Sequence, residues 1–381
     1  MKHSFWSAEQ QALREVARHF VEKEVLPHLQ GWEDAGEVPH GLHLAAAKHG
    51  FLGLGFPEES GGSGGDFLDV VALTEAMAEA GASSGLLAAL FTSGIALPHI
   101  VACGDDDLVD RFVRPTLAGE RIGALAVTEP GGGSDVAGLT TRAWRDGDHY
   151  VVNGEKSFIT SGVRANFVTT AVRTGGAGHA GLSLLVIENG TPGFEARGMP
   201  KMGWHCSDTA ELSFVDCRVP VVNLVGEENQ GFAMIAEQFV AERLALAVHG
   251  YGIAARALAL TADYTKTRHT FGKPLASRQV VQHTLVEMHR RVEVARIYAR
   301  EVARRHVRGE HPIAEALMAK STAVEACAFV VDQAVQLHGG TGYLHGTEVE
   351  RHYRDARILG IGGGATEVLN DLSARLLGYT G

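Results

Sequence analysis

Two serines stand in G-x-S-x-G frames, Ser63 within Gly61–Gly65 and Ser83 within Gly81–Gly85. A serine in that frame acts as a nucleophile only on a sharp strand-to-helix turn. The first frame lies in a glycine-rich loop and the second between two helical stretches, so serine chemistry is not expected. The 19 histidines include no H-E-x-x-H pair, and Cys103, Cys206, Cys217 and Cys327 are far apart with no C-x-x-C. No metal site and no disulfide framework are therefore expected. No G-x-G-x-x-G follows a strand-like run, and Phe271-Gly272-Lys273-Pro274 lacks the glycine and hydroxyl of a P-loop. Glycine itself is abundant at 47 residues, and Gly131-Gly132-Gly133 would let a backbone turn approach a flat ring or a phosphate. One carboxylate is also notable. Glu242 lies in a helical stretch among Phe239, Val240, Leu244 and Leu246, where burial would raise its pKa toward the working range of a base.

The elements that must position these groups fall into three parts. Residues 1–118 read as helical, with stretches over Ala8–Leu29, Gly41–His49, Phe67–Ala80, Gly85–Cys103 and Asp105–Leu117. Ser7 and Gln10 suit a capping box, and Pro27 and Gly31 should break the first helix. Residues 119–228 alternate short valine-, threonine- and aromatic-rich runs with turn signals. They predict a small β domain of roughly six to eight strands, sandwich or barrel, with Asn153-Gly154 as a tight turn. Residues 229–381 return to helical spacing, with long helices over Gln230–Lys266, Arg278–Val307 and Ile313–Leu337 and two shorter ones after them, a four-helix-bundle-like domain. The fold class is α+β. The net charge of −11 argues against a nucleic-acid partner or a basic membrane-binding face. No run of about 18 apolar residues predicts a membrane span, the amino terminus lacks a signal-like apolar core, and a cytoplasmic protein is expected.

Several collinear runs are more specific. VTEPGGGSDVAGL (Val127–Leu139), NGEKSFITSG (Asn153–Gly162), KMGWHCSDTAELSFVDCRVP (Lys201–Pro220), GEENQGFAMI (Gly226–Ile235), RHTFGKPLASRQ (Arg268–Gln279), QLHGGTGYLHGTEVERHYRDARI (Gln336–Ile358) and GGATE (Gly363–Glu367) together resemble the acyl-CoA dehydrogenase family over nearly the whole chain. The resemblance implies a homotetramer, a dimer of dimers, with one FAD per subunit. The implied reaction removes the α and β hydrogens of an acyl-CoA and passes electrons to an electron-transferring flavoprotein. It needs a base for the α-proton, an acceptor for the β-hydride and donors to the thioester oxygen. By the same resemblance, Leu125, Val127, Thr128, Gly133 and Ser134 contact the flavin and pyrophosphate, with Ser134 also near the acyl-CoA. Phe158, Ile159 and Thr160 lie along the ring, with Phe158 where the family often has tryptophan. Arg268, Phe271, Gln279, Gln336, Leu337, Gly339 and Gly340 reach the FAD of a neighbouring subunit.

One departure from the family pattern matters most. Many members carry the base in a Tyr-Glu-Gly-Thr run near the carboxyl terminus. Here the matching run is Gly362-Gly363-Gly364-Ala365, so Gly363 can offer only its N–H, as an oxyanion donor. A minority acting on long or branched chains place the glutamate before an arginine on the long helix after the β domain, and Glu242-Arg243 stands there. Glu242 is thus the expected base. Val240, Arg243 and Gly364 are expected at the substrate, Leu86 and Leu90 at the far wall of the acyl pocket, and Ala365 and Glu367 near FAD. Three other readings remain: a same-fold flavoenzyme acting on a carrier-protein-bound acyl group, one running in the enoyl-reducing direction, and a non-catalytic flavin-binding member.

Overall fold

A computed structural model describes residues 5–380 of the chain. The amino-terminal part packs α1 (Ala8–Phe20), α2 (Leu29–Ala35), α3 (His40–Lys48), α4 (Phe67–Ala80), α5 (Ser84–Leu90), α6 (Ser93–Ala96), α7 (Pro98–Cys103), α8 (Asp106–Leu108) and α9 (Arg114–Leu117). The capping box at Ser7 and Gln10 forms as expected. The first break differs from expectation. The chain passes through a π-turn at Val21–Val25 and bends before His28, but Gly31 lies inside α2. The helix stops instead at Gly36, whose φ of 82° suits the left-handed cap that glycine takes without strain. The single helix expected over Gly85–Cys103 is three short pieces. Thr92 Oγ1 donates to Ala88 O and Ala89 O near the first break, and Pro98 opens α7 at the position that tolerates a missing N–H.

The middle part holds β1 (Gly123–Ala126), β2 (Arg142–Asp146), β3 (His149–Thr160), β4 (Phe167–Arg173), β5 (Leu182–Glu188), β6 (Phe194–Gly198), β7 (Thr209–Pro220) and β8 (Leu224–Val225). The order β6-β7-β3-β2 continues into β4-β5-β8 through one pairing, Arg142 with Arg173, and β1 runs parallel to β4. The two leaves share a core: Tyr150, Val152 and Phe214 from one meet Val168, Leu185 and Ile187 from the other. The opposite face of β4 and β5, with Phe167, Ala171 and Leu184, packs on Leu97, Ile100 and Phe112 of the helical part. Burial on both faces is why these strands read as nearly continuous apolar runs. Asn153-Gly154 is not a turn. It lies inside β3 at a register shift against β7, and Gly154 is needed because a Cβ there would stand 2.7 Å from Thr141 Cα. The hairpin turn is Gly147-Asp148, between the paired residues Asp146 and His149.

The last part is built on α10 (Gly231–Thr267), the hairpin of β9 (His269–Thr270) and β10 (Lys273–Pro274), α11 (Gln279–Val307) and α12 (Ile313–His338). The single turn α13 (Gly340–Tyr343), then α14 (Glu348–Ala356) and α15 (Thr366–Leu376) follow. α10 contains a window apolar enough to cross a membrane by composition, but 61% of it is buried inside the structure. That burial is against α4, α11 and α12: Val240, Leu244 and Tyr251 share a core with Val71, Ala295 and Ala319.

All three parts meet at a buried carboxyl pair. Asp355 Oδ1 accepts from Trp204 N–H at 2.7 Å, and Glu33 Oε1 accepts from Ser83 at 2.9 Å. Their second oxygens, Asp355 Oδ2 and Glu33 Oε2, are buried without partners among the described residues. Burial, then the Glu33 carboxylate, pushes Asp355 up to about 7. A carboxyl raised on folding stabilises the fold below its unfolded pKa, near 3.9, and that stability is lost as pH rises toward 7. Asp355→Asn keeps the acceptor for Trp204 and removes the titration. We expect it to flatten the fall in melting temperature between pH 5 and pH 8, measured by thermal denaturation; an unchanged slope would reject this account.

Candidate functional site

The start of α10 is fixed against β5. Asn229 N–H donates to Ser183 Oγ at 2.7 Å, and a Cβ on Gly231 would stand 2.7 Å from the Ser183 carbonyl carbon, so only glycine fits. About three turns further on, Glu242 faces the loop between α14 and α15. A Cβ placed on Gly363 would be 3.5 Å from Glu242 Oε1 and 3.7 Å from Lys320 Nζ. The structure therefore brings Glu242 and Gly363 together. Burial raises the Glu242 carboxyl above its ordinary value, opposed by Arg243 and Lys320. Gly363 has φ of 64°, a conformation that favours glycine. Its N–H donates to no acceptor among the described backbone partners.

Arg243 Nε donates to Gly363 O at 3.3 Å, and its guanidinium lies 5.0 Å from the Phe239 ring. Gly364 adjoins the same point with φ of 106°. Three expected substrate residues are placed elsewhere. Val240 packs into the bundle core, on nearly the opposite side of α10 from Glu242. Leu86 and Leu90 are buried in the core of the amino-terminal part. The half-buried positions near them are Ala88 and Phe91. Ala365 is half-buried just before α15, and Glu367 is exposed on its first turn.

The segment 125–134 and the end of β3 are joined. Ser157 N–H donates to Thr128 O at 2.9 Å. Glu129 and Lys156, which the sequence reading passed over, form a buried pair at 2.9 Å, and Lys156 Nζ also donates to Val127 O. Glu129 accepts from Thr140 N–H and Thr141 N–H at 2.7 and 2.9 Å. Burial works to raise Glu129, but Lys156 and these donors outweigh it and bring the carboxyl to about 2. Burial brings Lys156 down to about 8 against the pull of Glu129. Thr128 and Leu125 are half-buried, Gly133 and Ser134 are exposed, and open space surrounds the Cβ positions of Gly131 and Gly132. Phe158 has φ of 62° and is 63% exposed. Thr160 is half-buried, whereas Ile159 points into the β core. The free glycine backbone beside an exposed aromatic and two threonines fits a flat ring with an attached phosphate chain.

The remaining expected cofactor residues form a separate surface. The β9–β10 turn is Phe271-Gly272, and Phe271 has φ of 51° and is 97% exposed. Arg278, unremarked in the sequence, holds this turn by donating to Thr270 O and Oγ1 at 2.9 and 3.0 Å. Tyr264 stacks on His338 at 4.2 Å, which brings the end of α10 and its hairpin beside Gln336, Leu337, Gly339 and Gly340. Arg268, Gln279, Gln336, Gly339 and Gly340 are exposed. Neither G-x-S-x-G frame makes a nucleophile: Ser63 donates to Gly50 O, and Ser83 caps α5 and donates to Glu33.

The models of the acyl-CoA dehydrogenase amino-terminal, middle and carboxyl-terminal domains match residues 7–120, 124–217 and 229–378. A Mycobacterium smegmatis crystal structure, described only as a candidate acyl-CoA dehydrogenase, is 59% identical. It superposes with a TM-score of 0.98 and covers 99% of this chain and 100% of its own. The long-chain specific acyl-CoA dehydrogenase of Rattus norvegicus is 37% identical over 97% of this chain and 86% of its own. The isobutyryl-CoA dehydrogenase of Bos taurus is 35% identical over 97% and 89%. The fold and these likenesses define an oxidoreductase of acyl-CoA thioesters. The chain belongs to the acyl-CoA dehydrogenase family.

Proposed function

We propose that the chain is an FAD-dependent dehydrogenase of aliphatic acyl-CoA thioesters in which Glu242 removes the α-proton. The observation that carries this reading is the place of the Glu242 carboxylate. It lies beside Gly363, near where a side chain from that position would begin. A base supplied from α10 thus serves the same small volume as one supplied from the glycine run. The raised Glu242 pKa suits a group that must accept a weakly acidic proton. The Gly363 N–H, without an acceptor among the described residues, is suited to the thioester oxygen. Bound FAD supplies the acceptor for the β-hydride.

Thr128 and Thr160 are suited to hold the polar edge of the cofactor, and Gly133 and Ser134 its phosphates. Exposed Phe158 is suited to the side from which electrons leave toward an electron-transferring flavoprotein. Exposed Phe271, Tyr343, Val280 and Ile297 support assembly into a homotetramer in which the hairpin and the end of α12 complete a neighbour's FAD site. Cys206, Cys217 and Cys327 are free and buried, in keeping with a cytoplasmic enzyme. The test is anaerobic addition of straight and branched saturated acyl-CoAs to the purified flavoprotein. Bleaching of the flavin together with enoyl-CoA formation is expected for at least one of them; persistent colour with all would reject the reading.

The Glu129–Lys156 pair should matter for cofactor retention. Lys156→Met leaves Glu129 buried without its cation, a change of about 3–5 kcal/mol in comparable buried pairs. The expected result is a lowered melting temperature and a preparation depleted in flavin, read from the flavin-to-protein absorbance ratio. Full flavin content would show that the pair does not order the 127–134 loop.

A further inference from the structure

Gly362-Gly363-Gly364 has no side chains with which to fix its own shape. Its conformation must be imposed by neighbours, and the neighbour that reaches both ends is Lys320 on α12. Its ammonium donates to Gly362 O and, at 2.7 Å, to Gly364 O. Arg243 takes the carbonyl between them. In a trans peptide the C=O and N–H point to opposite sides. Holding Gly362 O therefore sets the direction of the Gly363 N–H, and holding Gly363 O sets that of Gly364 N–H. Lys320 is 1% exposed, and burying an ammonium is costly unless its bonds return the cost. An apolar side chain would fill the space more cheaply if packing were the only need.

We propose that Lys320 is a positioning residue for α-proton removal: it turns the Gly362–Gly363 peptide so that the Gly363 N–H meets the thioester oxygen, and it holds a positive charge beside Glu242. The inference rests on the function proposed above. The charged groups facing Glu242 are Arg243 from its own helix and Lys320 from α12; the glycine loop contributes none. Burial brings Lys320 down to about 8, with Glu242 opposing and Arg243 assisting. Loss of this cation should raise the Glu242 pKa.

The test uses the FAD-loaded enzyme and an acyl-CoA analogue with sulfur in place of the β-carbon. That analogue has α-hydrogens to exchange but no β-hydride to give. Exchange of its α-hydrogens for deuterium in D2O reports the base and the oxygen donors alone. Lys320→Met should slow exchange about 100-fold, the scale of losing one oxyanion donor. It should also move the acidic limb of the exchange–pH profile to higher pH, with flavin content and analogue affinity nearly unchanged. Lys320→Arg, which can still donate to two carbonyls, should recover part of the rate, and Lys320→Gln carries the test if the Met variant does not fold. Exchange within threefold of wild type, or an acidic limb that does not move, overturns the proposal. A wild type that exchanges and bleaches normally beside an unaffected Lys320 variant overturns this inference alone. A wild type that does neither overturns the proposed function with it.

Discussion

Glu242→Gln should lower kcat/KM for a saturated acyl-CoA by about 10^3-fold, within the usual range for a lost general base, while the protein stays yellow and folded. Glutamine keeps the shape and polarity of the side chain, so packing near Leu246 and the contact with the Gly363 loop are preserved. It loses only the ability to take a proton. The wild-type pH dependence follows from the same group. Burial holds its pKa above the ordinary carboxylate value, and the base works deprotonated. Activity should therefore be present above that raised pKa and fall as pH drops through it, at a higher pH than an exposed glutamate would give. The measurement is kcat/KM against pH, with the variant assayed at the wild-type optimum. A limb in the ordinary carboxylate range would mean that Glu242 is solvated during the reaction.

Glu75→Leu should destabilise the protein by about 3–5 kcal/mol, the cost typical of breaking a buried ion pair from one side. Glu75 is fully buried on α4. Its carboxylate accepts from Arg14 on α1 at 2.9 Å, from Arg300 on α11 and from Tyr251 on α10 at 3.0 Å. Leucine would leave two guanidinium groups and a hydroxyl without that acceptor. Burial tends to raise the Glu75 carboxyl, but the Arg300 and Arg14 contacts outweigh it and hold it below its ordinary value. A carboxyl lowered on folding stabilises above its unfolded pKa and loses that contribution as pH falls through the folded one. The variant should thus unfold at lower denaturant at pH 7 and lose less further stability on acidification than wild type. A midpoint equal to wild type at pH 7 would show that the four helices, α1, α4, α10 and α11, are held by apolar packing alone.

The order of helical, β and helical parts was legible because short valine-, threonine- and aromatic-rich runs separated by turn signals stand between long stretches of helical composition. Local turn chemistry was less decisive. Asn153-Gly154 carries the stronger hairpin signal, yet β3 runs through it because Thr141 crosses at the glycine. The turn falls at Asp146-Gly147-Asp148, a signal of the same kind that was overlooked. Gly31 sits within α2 because tertiary packing of Leu29 and Trp32 outweighs its weak helix propensity. At the site, Glu242 was recognisable through the family resemblance, as a glutamate before an arginine on the helix after the β domain, with its apolar neighbours in support. Its proximity to Gly363 depends on folding across more than a hundred residues. Lys320, Lys156 and Glu129 were missed because nothing in the local sequence separates a buried lysine from a surface one. Leu86 and Leu90 were expected at the pocket wall from the family resemblance; the helix turns both into the core of the amino-terminal part and leaves Ala88 and Phe91 partly open.

Single-turnover reduction by a saturated acyl-CoA, with wild type and Glu242→Gln followed side by side without oxygen, reads the central step most directly. Wild type should lose its flavin colour as one enoyl-CoA forms per active site, and the variant should bind the thioester and remain yellow. Reduction of the variant at the wild-type rate would contradict the assignment of Glu242 as the base.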